Sequence, residues 1–270
     1  RWYDDQPVGA LARQVTKYQQ RDGWSNRDLL RLSKPRRAEG NRDALYRWIT
    51  RGWEAAGDEP HPDEDLRIVW AAERVKCAST AREVAAIVRD HELPRECVPT
   101  QHLDSPEVWD ALLAHMKPEA MIRNLAKMTA VGLLEPLSDA VQVVAEVLGD
   151  ADRLRRARLH PVKVLAALCT YSAGHGVRGG LTWRPVQRVV DALDAAFYLA
   201  FGAVDPSGKR VLLALDVSGS MDGGECAGVP GLTPRVGSSA MALVTAATEK
   251  SHAFVAFTSG APGEWVSRSG

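Results

Sequence analysis

Apolar residues recur at three- and four-residue steps through most of the first 200 positions, the period of a helix with one buried face. Leu11, Val15 and Tyr18 predict a helix over 7–20, and Ser25-Asn-Arg-Asp28 is a capping box ahead of Leu29, Leu30 and Leu32. Asn41 starts a helix with Leu45, Trp48, Ile49 and Trp53 on one face, and 65–78 is helical after an acidic loop over 57–65. A second capping box, Thr80-Ala-Arg-Glu83, leads into Val84, Ile87 and Val88. Ser105-Pro106 reads as an N-cap with Pro at the first helical position, and Pro118 opens the next helix, with Met121, Ile122, Leu125 and Met128. Helices over 138–148, 161–172 and 185–201 complete a set of about ten with short links and no strand alternation. Antiparallel helix pairs stacked side by side follow, HEAT-like in shape although no fixed-period repeat is legible.

After a linker, Val204-Asp-Pro-Ser-Gly208, the pattern changes. Val211 to Leu215 form a continuous apolar run, predicting a strand buried on both faces and ending at Asp216. A Gly/Pro-rich loop over 219–237, a helix over 238–250 and a second apolar strand over 252–257 follow, the start of a parallel α/β sheet. Two strands do not bury a core, so that domain is expected to be only an N-terminal portion, over 206–270, behind a helical module over 1–205. The chain opens on Arg-Trp-Tyr and not on Met, and it is expected to be part of a longer one.

Composition narrows the class. Hydrophobic content of 45% and charged content of 25% are those of a globular protein, and no run approaches a membrane span. Cys77, Cys97, Cys169 and Cys226 are scattered without a Cys-x-x-Cys pair, which argues against a zinc site or disulfide framework and fits a reducing cytosol. The net charge of zero conceals blocks: twelve Lys/Arg against six Asp/Glu over 1–52, six acids and no base over 53–65, and eight bases against one acid over 151–190. Such basic blocks are either a phosphate-binding surface or solvated helix faces, and the sequence leaves both open.

Candidate chemistry is sparse. Asp216-Val-Ser218-Gly-Ser220 places one carboxylate and two hydroxyls on a loop just beyond a strand's carboxyl end, where α/β sheets bind ligands. That donor set suits a hard divalent cation, Mg²⁺ above all; the plain alternative is an Asx-type turn. The pattern resembles the metal-ion-dependent adhesion site of von Willebrand factor A domains. Arg74, Lys76, His91 and Arg95 lie at the ends of two successive helices, and Arg123 and Lys127 are spaced i, i+4 on one helix. The loop Gly174-His175-Gly-Val-Arg178-Gly-Gly180 carries one His and one Arg, without a Walker lysine or a preceding strand. Each group is either an anion-binding element or something plainer: exposed polar residues for the first, Arg and Lys stems lying over an apolar helix for the second, and a flexible connection for the loop. No catalytic constellation appears, since the His residues are scattered and no Ser or Cys carries a nucleophile signature.

Several runs together resemble the Ro 60 kDa autoantigen family, whose helical part is the TROVE module. They are the run Gln14-Val-Thr-Lys-Tyr through Leu32-Ser33, Arg123-Asn-Leu-Ala-Lys-Met-Thr-Ala130, His160-Pro161, Tyr171-Ser-Ala-Gly-His-Gly-Val-Arg-Gly179, Trp183-Arg-Pro185 and Ala192-Leu-Asp-Ala-Ala-Phe-Tyr198, with Asp216-Val-Ser-Gly-Ser-Met in its place behind them. Richness in Ala, Arg and Val suggests a bacterial or phage member. The resemblance implies a mostly α chain: a HEAT-like helical-repeat ring segment followed by the start of an α/β von Willebrand factor A domain. It implies a cytoplasmic, non-enzymatic RNA-binding protein that takes Y-type small noncoding RNA on its outer face. The ends of misfolded noncoding RNA would enter a positively charged hole, and polynucleotide phosphorylase is an implied partner. Arg74, Lys76, His91 and Arg95 match the outer Y RNA patch; Arg123, Lys127, His175 and Arg178 fall at the ring wall; Asp216, Ser218 and Ser220 are metal ligands. The family's helical module extends N-terminal of residue 1, and its remaining metal ligands, a Thr and an Asp, come from later loops with no counterpart before residue 270. The competing expectation is a metal-dependent protein-interaction module that captures a partner carboxylate at Asp216, Ser218 and Ser220.

Overall fold

The computed structural model describes residues 2–52 and 63–258, so Trp53 and most of the expected acidic loop lie outside the described residues. The chain divides into two compact units, residues 1–116 and 117–270.

The first unit is built from α1 (Trp2–Asp5), α2 (Val8–Lys17), α3 (Asn26–Ser33), α4 (Gly40–Arg51), α5 (Arg67–Cys77), α6 (Ala81–His91) and α7 (Pro106–Leu113). Ser25 caps α3 in a reciprocal box with Asp28, as the sequence predicts. Thr80 caps α6 by accepting from the Glu83 amide at 3.2 Å, but the Glu83 carboxylate reaches one residue further back, to the Ser79 amide at 3.1 Å. Ser105 holds the N-cap position of α7 without a side-chain cap bond; Pro106 sets the helix start. The expectation of no strand before residue 200 is corrected. Gln20–Arg21 (β1) and Trp24–Ser25 (β2) pair antiparallel around Asp22-Gly23. Both turn residues have positive φ, 51° and 82°, the two-residue hairpin that an Asp-Gly step favours. Leu11, Val15, Leu45, Val75, Val84, Val88, Val108 and Trp109 are buried and form the core in which α2 meets α5 and α5–α6–α7 pack in series. Cys97 lies in this core, its thiol pushed up to about 12 chiefly by burial. All four cysteines are free.

The second unit begins with α8 (Pro118–Ala130), α9 (Asp139–Gly149), α10 (Ala151–Arg156), α11 (Pro161–Ala173) and α12 (Gln187–Leu199). The short α10 is absent from the predicted set; Asp150, which accepts from the Arg153 amide at 2.9 Å, caps it. Met121, Leu125, Met128, Leu148, Leu154, Val164 and Leu193 are buried where α11 packs on α8 and α12 and where α9 packs on α12. Then follow β3 (Arg210–Asp216), α13 (Pro234–Thr248) and β4 (Ser251–Phe257), with β3 and β4 parallel in the register Leu213↔Phe254 and Asp216↔Phe257. The last helix starts four residues earlier than predicted, because Thr233 caps it by accepting from the Val236 amide and Pro234 occupies its first turn. Burial of β3 on both faces is corrected too: Leu212 is 65% exposed, while Val211, Leu213 and Leu215 are half-buried. The run is apolar throughout, but among the described residues its sheet has only β4 beside β3, and exposure alternates along the strand.

The linker is held, although its composition reads as free. The buried Glu249, just after α13, accepts from the Ser207 amide at 2.6 Å and the Gly208 amide at 3.1 Å. Hydrogen bonds from Ser207 and then Gly208 keep this carboxyl below its ordinary value of 4.5. A depressed carboxyl stabilises the fold fully above that value and loses its contribution as the pH falls through the lowered one. Thermal melts between pH 7 and pH 3 therefore lose stability below 4.5 in part through this group, and Glu249→Gln is less stable at pH 7 but flatter across the acid window.

Candidate nucleic-acid interface

On α5, positions 67, 70 and 74 follow three- and four-residue steps and share one face. The Arg74 guanidinium lies over the Trp70 ring at 4.8 Å from its centroid. The His91 ring, at the end of α6, meets Trp70 edge-on at 5.5 Å between centroids and 75° between planes. Arg67 Nε donates to His91 Nδ1 at 3.0 Å. Two guanidiniums, an indole and an imidazole thus form one continuous surface in which Arg67 and Arg74 are exposed and Trp70 and His91 half-buried. Cations against aromatic faces, with the charges open to solvent, suit a phosphate backbone with a base stacked alongside. Burial first, and then the Arg67 charge, hold the His91 imidazole below its ordinary 6.5.

Lys76 does not join this cluster. Two residues beyond Arg74 it faces another side of α5, where Lys76 Nζ pairs with Glu73 Oε1 at 2.7 Å and the same oxygen accepts from Trp48 Nε1 at 2.8 Å. It lines a separate pocket of about 550 Å³ with Arg27 and Arg51. Arg95 opens a short 3₁₀ turn, Arg95–Cys97, and is exposed. Of the four expected outer-face residues, the structure brings together Arg74 and His91 through Trp70, and adds Arg67. Trp70 was open to recognition as the aromatic four residues before Arg74; the Arg67 contact depends on how α5 packs on α6 and has no local signature.

In the second unit, Arg123 is exposed at a groove of about 470 Å³ between α8 and α11, floored by Ile122, Leu125, Ala166 and Ala167. Glu119, one turn before it, is paired instead with Lys163 across the groove at 2.7 Å. Lys127 is half-buried on the same helix. His175 and Arg178 are both exposed on the segment after α11, and that segment is no slack connection. A bridge between His175 and Thr182 and a bond from the Trp183 amide to the Gly174 carbonyl at 3.0 Å fold it back as a hairpin. Tyr171 anchors it: its carbonyl accepts from Trp183 Nε1 at 2.9 Å, its ring stacks on Trp183, and its hydroxyl bonds Thr129 Oγ1 at 2.9 Å and the Val186 amide at 3.2 Å. Gly174 is needed at the corner, with φ +74° and room for no Cβ, which would stand 2.9 Å from the Trp183 carbonyl.

The Asp216 loop follows β3. Asp216 Oδ1 accepts from the Ser218 amide at 2.9 Å and from Ser218 Oγ. Those bonds, the hydroxyl first, hold the carboxyl below its ordinary value and keep it ionised. Ser220 is exposed one step further on, in the turn Gly219–Asp222. Arg235, on the first turn of α13, donates to the Ser218 carbonyl at 3.2 Å and pairs with Asp222 at 2.8 Å, which fixes the loop from behind. No group of three or more His, Cys, Asp or Glu that could hold a metal occurs among the described residues. The donor set is one ionised carboxylate with two hydroxyls, which fits a hard cation that keeps several waters and no softer metal.

The TROVE domain model matches residues 4–170. The chain belongs to the TROVE-domain family. A Ro60 vWA domain model matches residues 210–266, the stretch that carries the Asp216 loop. Among curated TROVE relatives, the chain is 43% identical over 248 residues to the RNA-binding protein RO60 of Deinococcus radiodurans, covering 92% of this chain and 46% of the relative. It is 37% identical over 289 residues to the RNA-binding protein RO60 of Caenorhabditis elegans, covering 92% of this chain and 43% of that one. The crystal structure of the Deinococcus radiodurans RO (RSR) protein superposes with a TM-score of 0.82 at 41% identity, over 94% of this chain and 51% of that one. The chain thus spans about half the length of the TROVE relatives it matches. No helix among the described residues is long and apolar enough to cross a membrane.

Proposed function

We propose that this chain binds RNA and serves noncoding-RNA quality control without catalysis of its own, in the cytoplasm. The observation that carries the reading is the Arg67–Trp70–Arg74–His91 surface, a cationic and aromatic face on a TROVE chain whose relatives bear the name RNA-binding protein. A Y-type small noncoding RNA would lie on this outer face, with Arg74 and His91 at its centre and Arg95 beyond them; Lys76, on another side of α5, would reach it only by leaving Glu73. The ends of misfolded RNA would pass through the hole of a HEAT-like ring, along the wall that carries Arg123, Lys127, His175 and Arg178. An exoribonuclease such as polynucleotide phosphorylase is the natural partner for a module that presents RNA ends. The test is the affinity for a stem-loop RNA against salt: contacts to phosphate make log K fall linearly with log salt, by roughly 0.7–0.9 per neutralised phosphate. A slope near zero overturns the reading.

Asp216, Ser218 and Ser220 would hold Mg²⁺, which supplies an open coordination position for an acidic partner group. The ionised Asp216 beside Ser218 Oγ supports this second reading, a metal-dependent protein-interaction site on the same chain. Saturating Mg²⁺ is expected to raise the melting temperature, with stabilisation of about 1.4 kcal/mol at ten times the dissociation constant. Asp216→Ala abolishes the shift; a parent melt indifferent to Mg²⁺ and to EDTA removes the metal from the reading.

A further inference from the structure

We propose that Arg67 is a positioning residue that holds His91 as a neutral imidazole, so that His91 meets RNA as a hydrogen-bond donor through Nε2 and not as a cation. The inference rests on the RNA-binding reading of this face and adds how one of its residues works.

A guanidinium has five N–H donors and no acceptor. Because Arg67 Nε stands 3.0 Å from His91 Nδ1, that nitrogen must present its lone pair, and the ring's proton belongs on Nε2. Protonating Nδ1 would set N–H against N–H and break the contact, leaving an imidazolium beside Arg67 and Arg74. The surrounding charges act in both directions. Arg67 and Arg74, from α5, disfavour a charged ring, and Asp90 on α6 favours one. A cleft of about 540 Å³ beside the ring adds Arg13 of α2, Glu64, Asp65 and Glu92. Of the titratable groups toward α7, Asp110 is engaged with Arg89 at 3.5 Å and His115 lies 3.8 Å from Glu92. The net direction, with burial leading, is downward from 6.5, so the ring is neutral at pH 7. An edge-on Trp70 at 5.5 Å limits how far the ring can turn away from Arg67.

The face therefore divides its labour. Arg74 supplies charge, and its contact weakens with salt. His91 supplies a directional, uncharged donor to an RNA acceptor such as a phosphate, 2′-hydroxyl or base-edge oxygen, and its contact does not depend on counterion release.

The test uses the 270-residue chain and a stem-loop RNA. Nitrogen-15 NMR of His91 in the parent is expected to show an unprotonated Nδ1, a protonated Nε2 and a titration midpoint below 6.5, with RNA affinity flat between about pH 7 and pH 8. His91→Ala loses roughly three- to tenfold in affinity while keeping the parent's salt slope, and His91→Gln, which keeps a neutral donor, stays close to the parent. Arg67→Ala returns the midpoint toward 6.5 and makes affinity rise as the pH falls through that value; Arg67→Gln, which can still donate, restores the flat profile. Arg67 is the exposed first residue of α5, and equal thermal melts of its variants show that the fold is kept. A charged His91 at pH 7, proton uptake on binding by the parent, or a reduced salt slope in His91→Ala overturns the proposal alone. A neutral Nε2–H ring in a chain whose variants all bind RNA like the parent overturns it together with the RNA reading of this face.

Discussion

Arg74, Lys76 and Arg95 replaced together by Ala weaken stem-loop RNA binding at least about a hundredfold, and the log–log salt slope shallows by roughly two units. The loss is not shared equally. Arg74 stacks on Trp70 at 4.8 Å, so its removal takes away a charge and leaves the indole without its cover. Lys76 is already paired with Glu73 and must leave that partner to reach a phosphate, so its single substitution changes affinity least. The measurement is a titration by fluorescence anisotropy at several salt concentrations, with each single variant beside the triple. Unchanged affinity in the triple variant rejects the outer face as the RNA site. An unchanged slope with reduced affinity assigns the loss to folding and not to phosphate contacts.

Trp183→Ala destabilises the second unit by about 3–5 kcal/mol, the cost of emptying a large buried aromatic site. Trp183 is only 9% exposed, stacks on Tyr171 and donates to its carbonyl, so its removal opens a cavity and frees the hairpin that bears His175 and Arg178. Tyr171→Phe is the milder companion, at about 1–3 kcal/mol, because it strands the Val186 amide without emptying the site, while the Thr129 hydroxyl keeps its bond to the Leu125 carbonyl. Urea unfolding followed by fluorescence reads both. If Trp183→Ala unfolds at the parent's midpoint, the hairpin is not anchored as described.

The helices were legible because their signals are local. Capping residues at Ser25, Thr80 and Ser138 and prolines at 106, 118 and 161 mark starts that the structure keeps. What escaped was short or non-local. The Asp22-Gly23 hairpin carries its turn signal in two residues whose flanking strands are too brief for alternation to show. α10 spans six residues, fewer than two turns, so no apolar period can establish itself. The site divides in the same way. Arg74 and His91 could be singled out as residues, and the metal loop as a pattern. Their partners could not, since Arg67 to His91 and Thr129 to Tyr171 join residues 24 and 42 positions apart that only packing brings together. Lys76 shows the converse: two positions from Arg74 in sequence, it turns to a different surface because a helix rotates about 100° per residue.

The bond pair from Glu249 to Ser207 and Gly208 bears on how this chain tolerates changes of length. Connections rich in Pro, Ser and Gly ordinarily absorb extra residues at little cost, since a longer loop loses entropy only slowly. Here two consecutive amides meet the two oxygens of a single carboxylate. An added residue inside that pair throws one amide out of register and leaves a buried oxygen without its donor. Insertions between Ser207 and Gly208 are therefore costly where their composition would suggest freedom, and the spacing between α12 and β3 is set by a glutamate more than forty residues downstream.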